Sequence, residues 1–136
     1  MRTIFRFVVA AVVIGIAYWI WVEYESADLN RRVAPLRALI KSELGRFEAA
    51  AKNGTKFEPL TCSGSCSQEF LESYVVENGN ELLFTLRGHP DFFGKTVRYR
   101  PMSHKTPTDA AYDLPILWGC ESTISWPALS RFPWCV

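Results

Sequence analysis

An apolar N-terminal run passes into an amphipathic stripe with no turn signal between them, and this constrains the chain more than any other feature. Residues 1–22 hold eighteen apolar residues and four others, Arg2, Thr3, Arg6 and Gly15. Phe7 to Val22 is sixteen residues without a charge, and extension back to Ile4 gives nineteen with Arg6 inside. A bilayer-spanning helix needs about 20 such residues, within a range of about 17–25. Arg6 can reach the headgroups by snorkelling. Tyr18, Trp19 and Trp21 suit an aromatic belt at the far interface. Residues 7–22 are apolar all round rather than on one stripe, which favours lipid or a tightly packed helix bundle. Arg2 and Arg6 precede the segment, and Glu23, Glu25 and Asp28 follow it. The positive-inside rule then predicts a cytoplasmic N-terminus with the remainder on the far side. A cleaved secretory signal is the competing reading. The bulky run from Tyr18 to Val22 fits a small-x-small cleavage site poorly, so retention is expected.

From Leu29 the pattern changes. Leu29, Val33, Leu36, Ile40, Leu44, Phe47 and Ala51 follow at spacings of 4, 3, 4, 4, 3 and 4. That is one apolar face of a helix, with Arg31, Arg32, Arg37, Lys41, Arg46 and Lys52 mostly off it. Asn53-Gly54 supplies a stop signal. Pro35 removes one backbone hydrogen bond and predicts a kink near Arg31. The expectation is one helix from about Ile4 to about Lys52. Its membrane segment belongs to residues 1–28, and its second half lays one face on a globular part formed by residues 29–136.

The chain has 136 residues, 15 basic and 14 acidic. Setting aside Arg2 and Arg6 leaves 13 basic residues against 14 acidic ones, a net charge of −1 beyond the membrane segment. That balance lacks the basic excess of a general nucleic-acid binder. The apolar fraction of 49% excludes a disordered tail.

The globular part reads as a small antiparallel sheet. Tyr74-Val75-Val76 and Leu82 to Leu86 flank Glu77-Asn78-Gly79-Asn80-Glu81, a hairpin signal. Leu82, Phe84 and Leu86 share one face, which should cover the helix stripe. Gly94 to Arg100 alternates, with Val97 and Tyr99 on one side and Thr96, Arg98 and Arg100 on the other. Pro101 is expected to end that strand. Leu114 to Trp118 is a fourth strand candidate, and residues 101–113 read as a loop.

Four cysteines, Cys62, Cys66, Cys120 and Cys135, all follow the membrane segment, on the side predicted to be oxidising. Four cysteines allow three pairings. The sequence-local one, Cys62–Cys66 with Cys120–Cys135, is expected. Closing the longer loop contributes on the order of 3 kcal/mol in the chain-entropy model. A zinc site is the alternative. The C-x3-C spacing falls within the loose range for ligands, but the second half lacks a close ligand pair.

Several motifs carry a family likeness. Gly94-Lys95-Thr96-Val97 precedes Pro101, Ile116-Leu117-Trp118-Gly119-Cys120 approaches the third cysteine, and Phe132-Pro133-Trp134-Cys135 reaches the last. Arg2-Thr3-Ile4-Phe5-Arg6-Phe7 and Val13-Ile14-Gly15-Ile16 occupy the N-terminal register. In order and character these resemble the type IV pilin family: its G-K-T strand, its W-x-C approach to the disulfide loop, its P-x-C close, and its F-T-L-I-E-L and I-I-G-I helix start. The resemblance implies an α+β pilin-like fold, a long N-terminal helix packed on an antiparallel sheet with a C-terminal disulfide loop. It also marks departures. Arg6 stands where the family has a glutamate that is thought to pair with a neighbour's N-terminal amine. Glu23 lies near the membrane-exit position at which pilins often carry proline. No leader ending in glycine precedes the matching start, so the chain is expected to stay in the inner membrane.

The resemblance therefore implies a pilin-like accessory protein of type IV pilus assembly. It would be single-pass in a bacterial inner membrane with its C-terminal domain in the periplasm. Its expected partners are pilin subunits, the assembly machinery and membrane lipid. The alternative is a minor pilin or pseudopilin within a pilus or a type II secretion filament. Arg6 and Gly15 are the candidate contacts with a partner helix. Arg6 has two readings: pairing with a pilin glutamate inside the membrane, or snorkelling to headgroups and setting topology. Catalysis is not expected, because His89, His104, Asp91, Asp109 and Asp113 lack a supporting spacing and Ser63, Ser65 and Ser67 lack a nucleophile-elbow context. Neither a cofactor, a metal nor a small-molecule substrate is expected. Arg98 and Arg100 could touch nucleic acid, but the charge balance argues against strong binding.

Overall fold

The computed structural model describes residues 2–59, 69–102, 115–131 and 135. Its elements run α1 (Arg2–Asn53), β1 (Leu71–Glu77), β2 (Glu81–Leu86), β3 (Thr96–Met102), β4 (Leu117–Ser122) and α2 (Trp126–Arg131). The chain divides into two units, Met1–Arg32 and Val33–Val136.

The first unit is the apolar part of α1. Its large side chains from Ile4 to Trp21 are exposed, and a window of mean hydropathy 2.1 has none of its length buried. The helix is long and apolar enough to cross a membrane. Beyond the apolar run, Asn30 donates its side-chain amide to the Ser26 carbonyl at 3.0 Å.

The second unit begins on the amphipathic stretch of α1, which continues through Pro35. Val33, Leu36, Ile40 and Phe47 are buried, as the stripe predicts. One position differs. Glu43 is fully buried, while Leu44 is only half-buried. The buried set 29, 33, 36, 40, 43, 47 alternates spacings of 4 and 3 without interruption, so Glu43 occupies a central position of the stripe. The helix closes as expected at Gly54, with φ 64. The Gly54 N–H donates to Ala51 and the Thr55 N–H to Ala50, the two bonds of a Schellman close.

The strands form one antiparallel sheet in the order β1-β2-β3-β4. The predicted hairpin is present. Asn78 has φ 53 and Gly79 φ 77, and the Asn80 N–H donates to the Glu77 carbonyl at 3.1 Å. Two successive positive φ values define the turn that matches strand twist, and glycine at the second central place adopts its value without a Cβ penalty. Leu82, Phe84, Leu86, Val97 and Tyr99 form the buried face, as their alternation requires.

Two strand boundaries correct the sequence reading. Pro101 lies inside β3, paired with Trp118, and does not end it. The Thr96 carbonyl accepts from the Thr123 N–H, so residues 96, 98 and 100 turn their backbone groups toward β4, and 97, 99 and 101 toward β2. β2 begins at Glu81, and Leu82 already faces Tyr99, so Pro101 runs past its end and its missing N–H costs no ladder bond. The fourth strand is Leu117–Ser122, two residues beyond Pro115, rather than Leu114–Trp118. Cys120 therefore sits within the strand, opposite Tyr99. Leu114 and the expected loop over 103–113 lie outside the described residues.

Candidate functional site

The expected helix contacts lie on the first unit. Arg6 borders a shallow recess with Phe5, Val9, Ala10, Val13 and Ile14. At Gly15 a Cβ would meet nothing within 4 Å. The two residues are nine positions apart, about two and a half turns, so they face opposite sides of the helix. One straight partner helix cannot contact both.

Of the four cysteines, Cys120 and Cys135 form a disulfide with a Cα separation of 5.4 Å across 15 residues of sequence. The Cys62–Cys66 pairing lies outside the described residues. The bridge ties the end of the chain to β4 beside the sheet's buried face.

The unpredicted feature of the second unit is a polar centre under the helix. The Glu43 carboxylate has 0% exposure. Its Oε2 accepts from the Tyr74 hydroxyl of β1 at 3.0 Å, and its Oε1 accepts from Arg46 at 2.6 Å. Arg46 in turn donates to the Glu58 carbonyl at 3.0 Å and places its guanidinium 5.9 Å from the Phe57 ring centre. Phe47 lies between Phe57 and Trp118, at 5.2 and 5.3 Å. The Tyr74 ring stacks on Phe84 at 4.5 Å. Burial pushes the Tyr74 phenol well above its ordinary value, and the Glu43 carboxylate adds to the rise through its charge and the hydrogen bond. Burial raises the Tyr99 phenol to about 12, against an opposing pull from Arg37. Burial also lowers Arg37 below the ordinary guanidinium value. Chemically this centre joins helix, connecting segment and sheet. A buried carboxylate needs hydrogen-bond donors, and Tyr74 from the sheet and Arg46 from the helix supply them. Sequence reading passed over Glu43 because an acid interrupts an apolar pattern; the uninterrupted alternation of 4 and 3 was the signal that could have found it.

On the opposite sheet face, Arg98 pairs with Glu77 at 3.0 Å and Glu81 at 3.3 Å, and Arg100 pairs with Glu81 at 2.8 Å. The arginines considered for nucleic acid are thus already engaged by acids. His89 accepts the Asp91 N–H at Nδ1, 3.2 Å away, within the β2–β3 loop. His104, Asp109, Asp113, Ser63, Ser65 and Ser67 lie outside the described residues. Among the described residues, no group of three or more His, Cys, Asp or Glu side chains is placed to hold a metal. No protein-family model, curated protein or solved structure matches the chain.

Proposed function

We propose that the chain is a pilin-like accessory protein, anchored in a bacterial inner membrane and assisting type IV pilus assembly through helix and sheet contacts with pilin subunits. The observation that carries this reading is the continuity of α1. Its exposed apolar segment runs on into a stripe covered by a four-stranded antiparallel sheet, and a disulfide joins that sheet to the C-terminal segment. The order of parts and the short motifs around Gly94, Trp118 and Cys135 support the pilin likeness. The charges flanking the apolar segment support a cytoplasmic N-terminus and a periplasmic sheet domain. Arg6, in place of an acid, supports an assisting role over that of an ordinary filament subunit.

The second reading, a minor pilin or pseudopilin, is favoured by Val13-Ile14-Gly15-Ile16, which keeps the family's helix register. Comparison of purified membranes with sheared pili, together with the mass of the mature chain, separates the two. An intact Met1 and presence only in membranes support the accessory role. A processed, methylated N-terminus in sheared filaments supports the subunit role. Absence of pilin from the co-purified material, in both fractions, sinks both readings.

A further inference from the structure

We propose that the free edge of β1 takes an added strand from a partner protein, an extended segment that is apolar in its middle and basic at its ends. β1 is an outer strand of the sheet. The ladder shows which of its backbone groups are engaged. The Gly94 N–H donates to the Leu86 carbonyl at 3.0 Å and the Leu86 N–H to Lys95 at 2.8 Å, so Leu86, with Phe84 and Leu82 in the same phase, bonds toward β3. The Arg87 N–H donates to Phe70 at 2.9 Å, so the alternate positions Leu83 and Thr85 bond toward β1, where they face Val75 and Ser73. Tyr74 and Val76 therefore turn their N–H and C=O groups away from the sheet, and among the described residues nothing meets those groups. Pairing is regular from Ser73 to Glu77, the register shift lying before it, between Leu71 and Ser73. That leaves a regular template of open donors and acceptors, the form on which strand addition occurs.

The edge lacks the features that usually close one. It carries no lysine and no proline, and Tyr74-Val75-Val76 at its centre are strong strand formers. At the opposite edge, Cys120 of β4 is bonded to Cys135, which holds a later part of the chain at that strand. Side chains of an added strand alternate between the two faces. Those on the buried face extend the core beside Tyr74 and Val76, and one on the outer face covers Val75, which is 46% exposed, so the middle of the occupant is apolar. Charge selects its ends. β1 has two acids, Glu72 and Glu77, and no base. Glu72 is exposed and has no partner among the described residues, while Glu77 shares Arg98 with Glu81, which also holds Arg100. On the helix, Glu43 and Arg46 pair with each other, and beyond the register shift Glu69 and Arg87 contribute one charge of each sign. The unbalanced charge at the edge is thus negative, and lysine or arginine at the ends of the added strand complements it. A second copy of β1 would bring acids beside acids: Glu77 nears Glu72 in an antiparallel pair, and each nears its own kind in a parallel one. The site does not depend on the pilus reading.

The test uses the full chain, isotopically labelled, in a zwitterionic detergent, with a synthetic peptide that has lysine at both ends and valine alternating with threonine between. Amide exchange read by NMR should slow severalfold at Tyr74 and Val76 as the peptide is added, with Val75, already bonded to Leu83 in the ladder, unchanged. Methylating the alternate backbone nitrogens of the peptide that face β1 should abolish the effect, and methylating the other set should leave it. Glu72→Lys, an exposed change, should weaken the lysine-ended peptide and favour a glutamate-ended one. No slowing at Tyr74 and Val76 up to the solubility limit of the peptide overturns the proposal, as does equal slowing by lysine-ended and glutamate-ended peptides. So does slowing at Cys120 and Ser122 instead, because the added strand then sits on β4. Protection of Tyr74 in the chain alone that fades on dilution overturns it too, because the occupant is then a second copy.

Discussion

The Tyr74 hydroxyl, on the first strand, donates a 3.0 Å hydrogen bond to the carboxylate of Glu43, on the helix, across 31 residues of sequence. Both groups are buried, so each depends on the other for what water would otherwise supply.

Tyr74→Phe removes the donor and leaves the buried carboxylate short of one bond. We expect a loss of about 1–3 kcal/mol, read as a lowered urea midpoint for the full chain in detergent. Combining it with Glu43→Leu removes the acceptor as well, and should recover part of that loss. A double variant whose loss equals the sum of the single losses would show that the pair does not act as a unit.

Stability should fall at alkaline pH. Both Tyr74 and Tyr99 have folded values raised above the ordinary 10.0, so the native state holds their neutral phenols. Their contribution is fully present below the ordinary value. It is lost as pH rises above 10.0 toward the folded values, near 12 for Tyr99. Absorbance at the phenolate band, followed against pH, should show a late-ionising class, and Tyr74→Phe should remove one member of it.

Gly88 has φ 84, and a Cβ there would stand 2.8 Å from the Glu69 carbonyl oxygen and 3.1 Å from the Phe70 ring. Gly88→Ala therefore meets backbone strain and a backbone obstacle together. A loss of about 1–3 kcal/mol is expected, with wild-type stability in the variant as the result that contradicts it. Hydrogen exchange should localise the loosening to the β2–β3 loop and the start of β1.

Replacing both Cys120 and Cys135 with serine opens a loop of 15 residues. The chain-entropy model gives about 3 kcal/mol. Thermal melting of the double variant, compared with the parent under non-reducing conditions, reads this directly.

Much of this architecture could be read in advance because it rests on periodicity. The helix, the hairpin at Asn78-Gly79 and the buried alternation of Leu82, Phe84 and Leu86 follow from spacing and turn chemistry. What escaped depended on partners distant in sequence. Glu43 looks like a surface acid until Tyr74 and Arg46 are placed beside it. Pro101 reads as a stop until one sees that its nitrogen faces the open end beyond β2. The opposition of Arg6 and Gly15 was implicit in their nine-residue separation, yet each drew notice for its own chemistry rather than for its azimuth.

The strand order β1-β2-β3-β4 has a consequence for how such a chain is made. Among the described residues every strand pairs with its neighbour in sequence, so each pairing closes a comparatively short loop. A polypeptide delivered N-terminus first can therefore add strands one at a time against a helix that has already emerged. Cys135 follows all of the strands, and its bond to Cys120 can form only after the last of them is out. The bridge thus acts as a seal on a finished sheet rather than as a guide to its assembly.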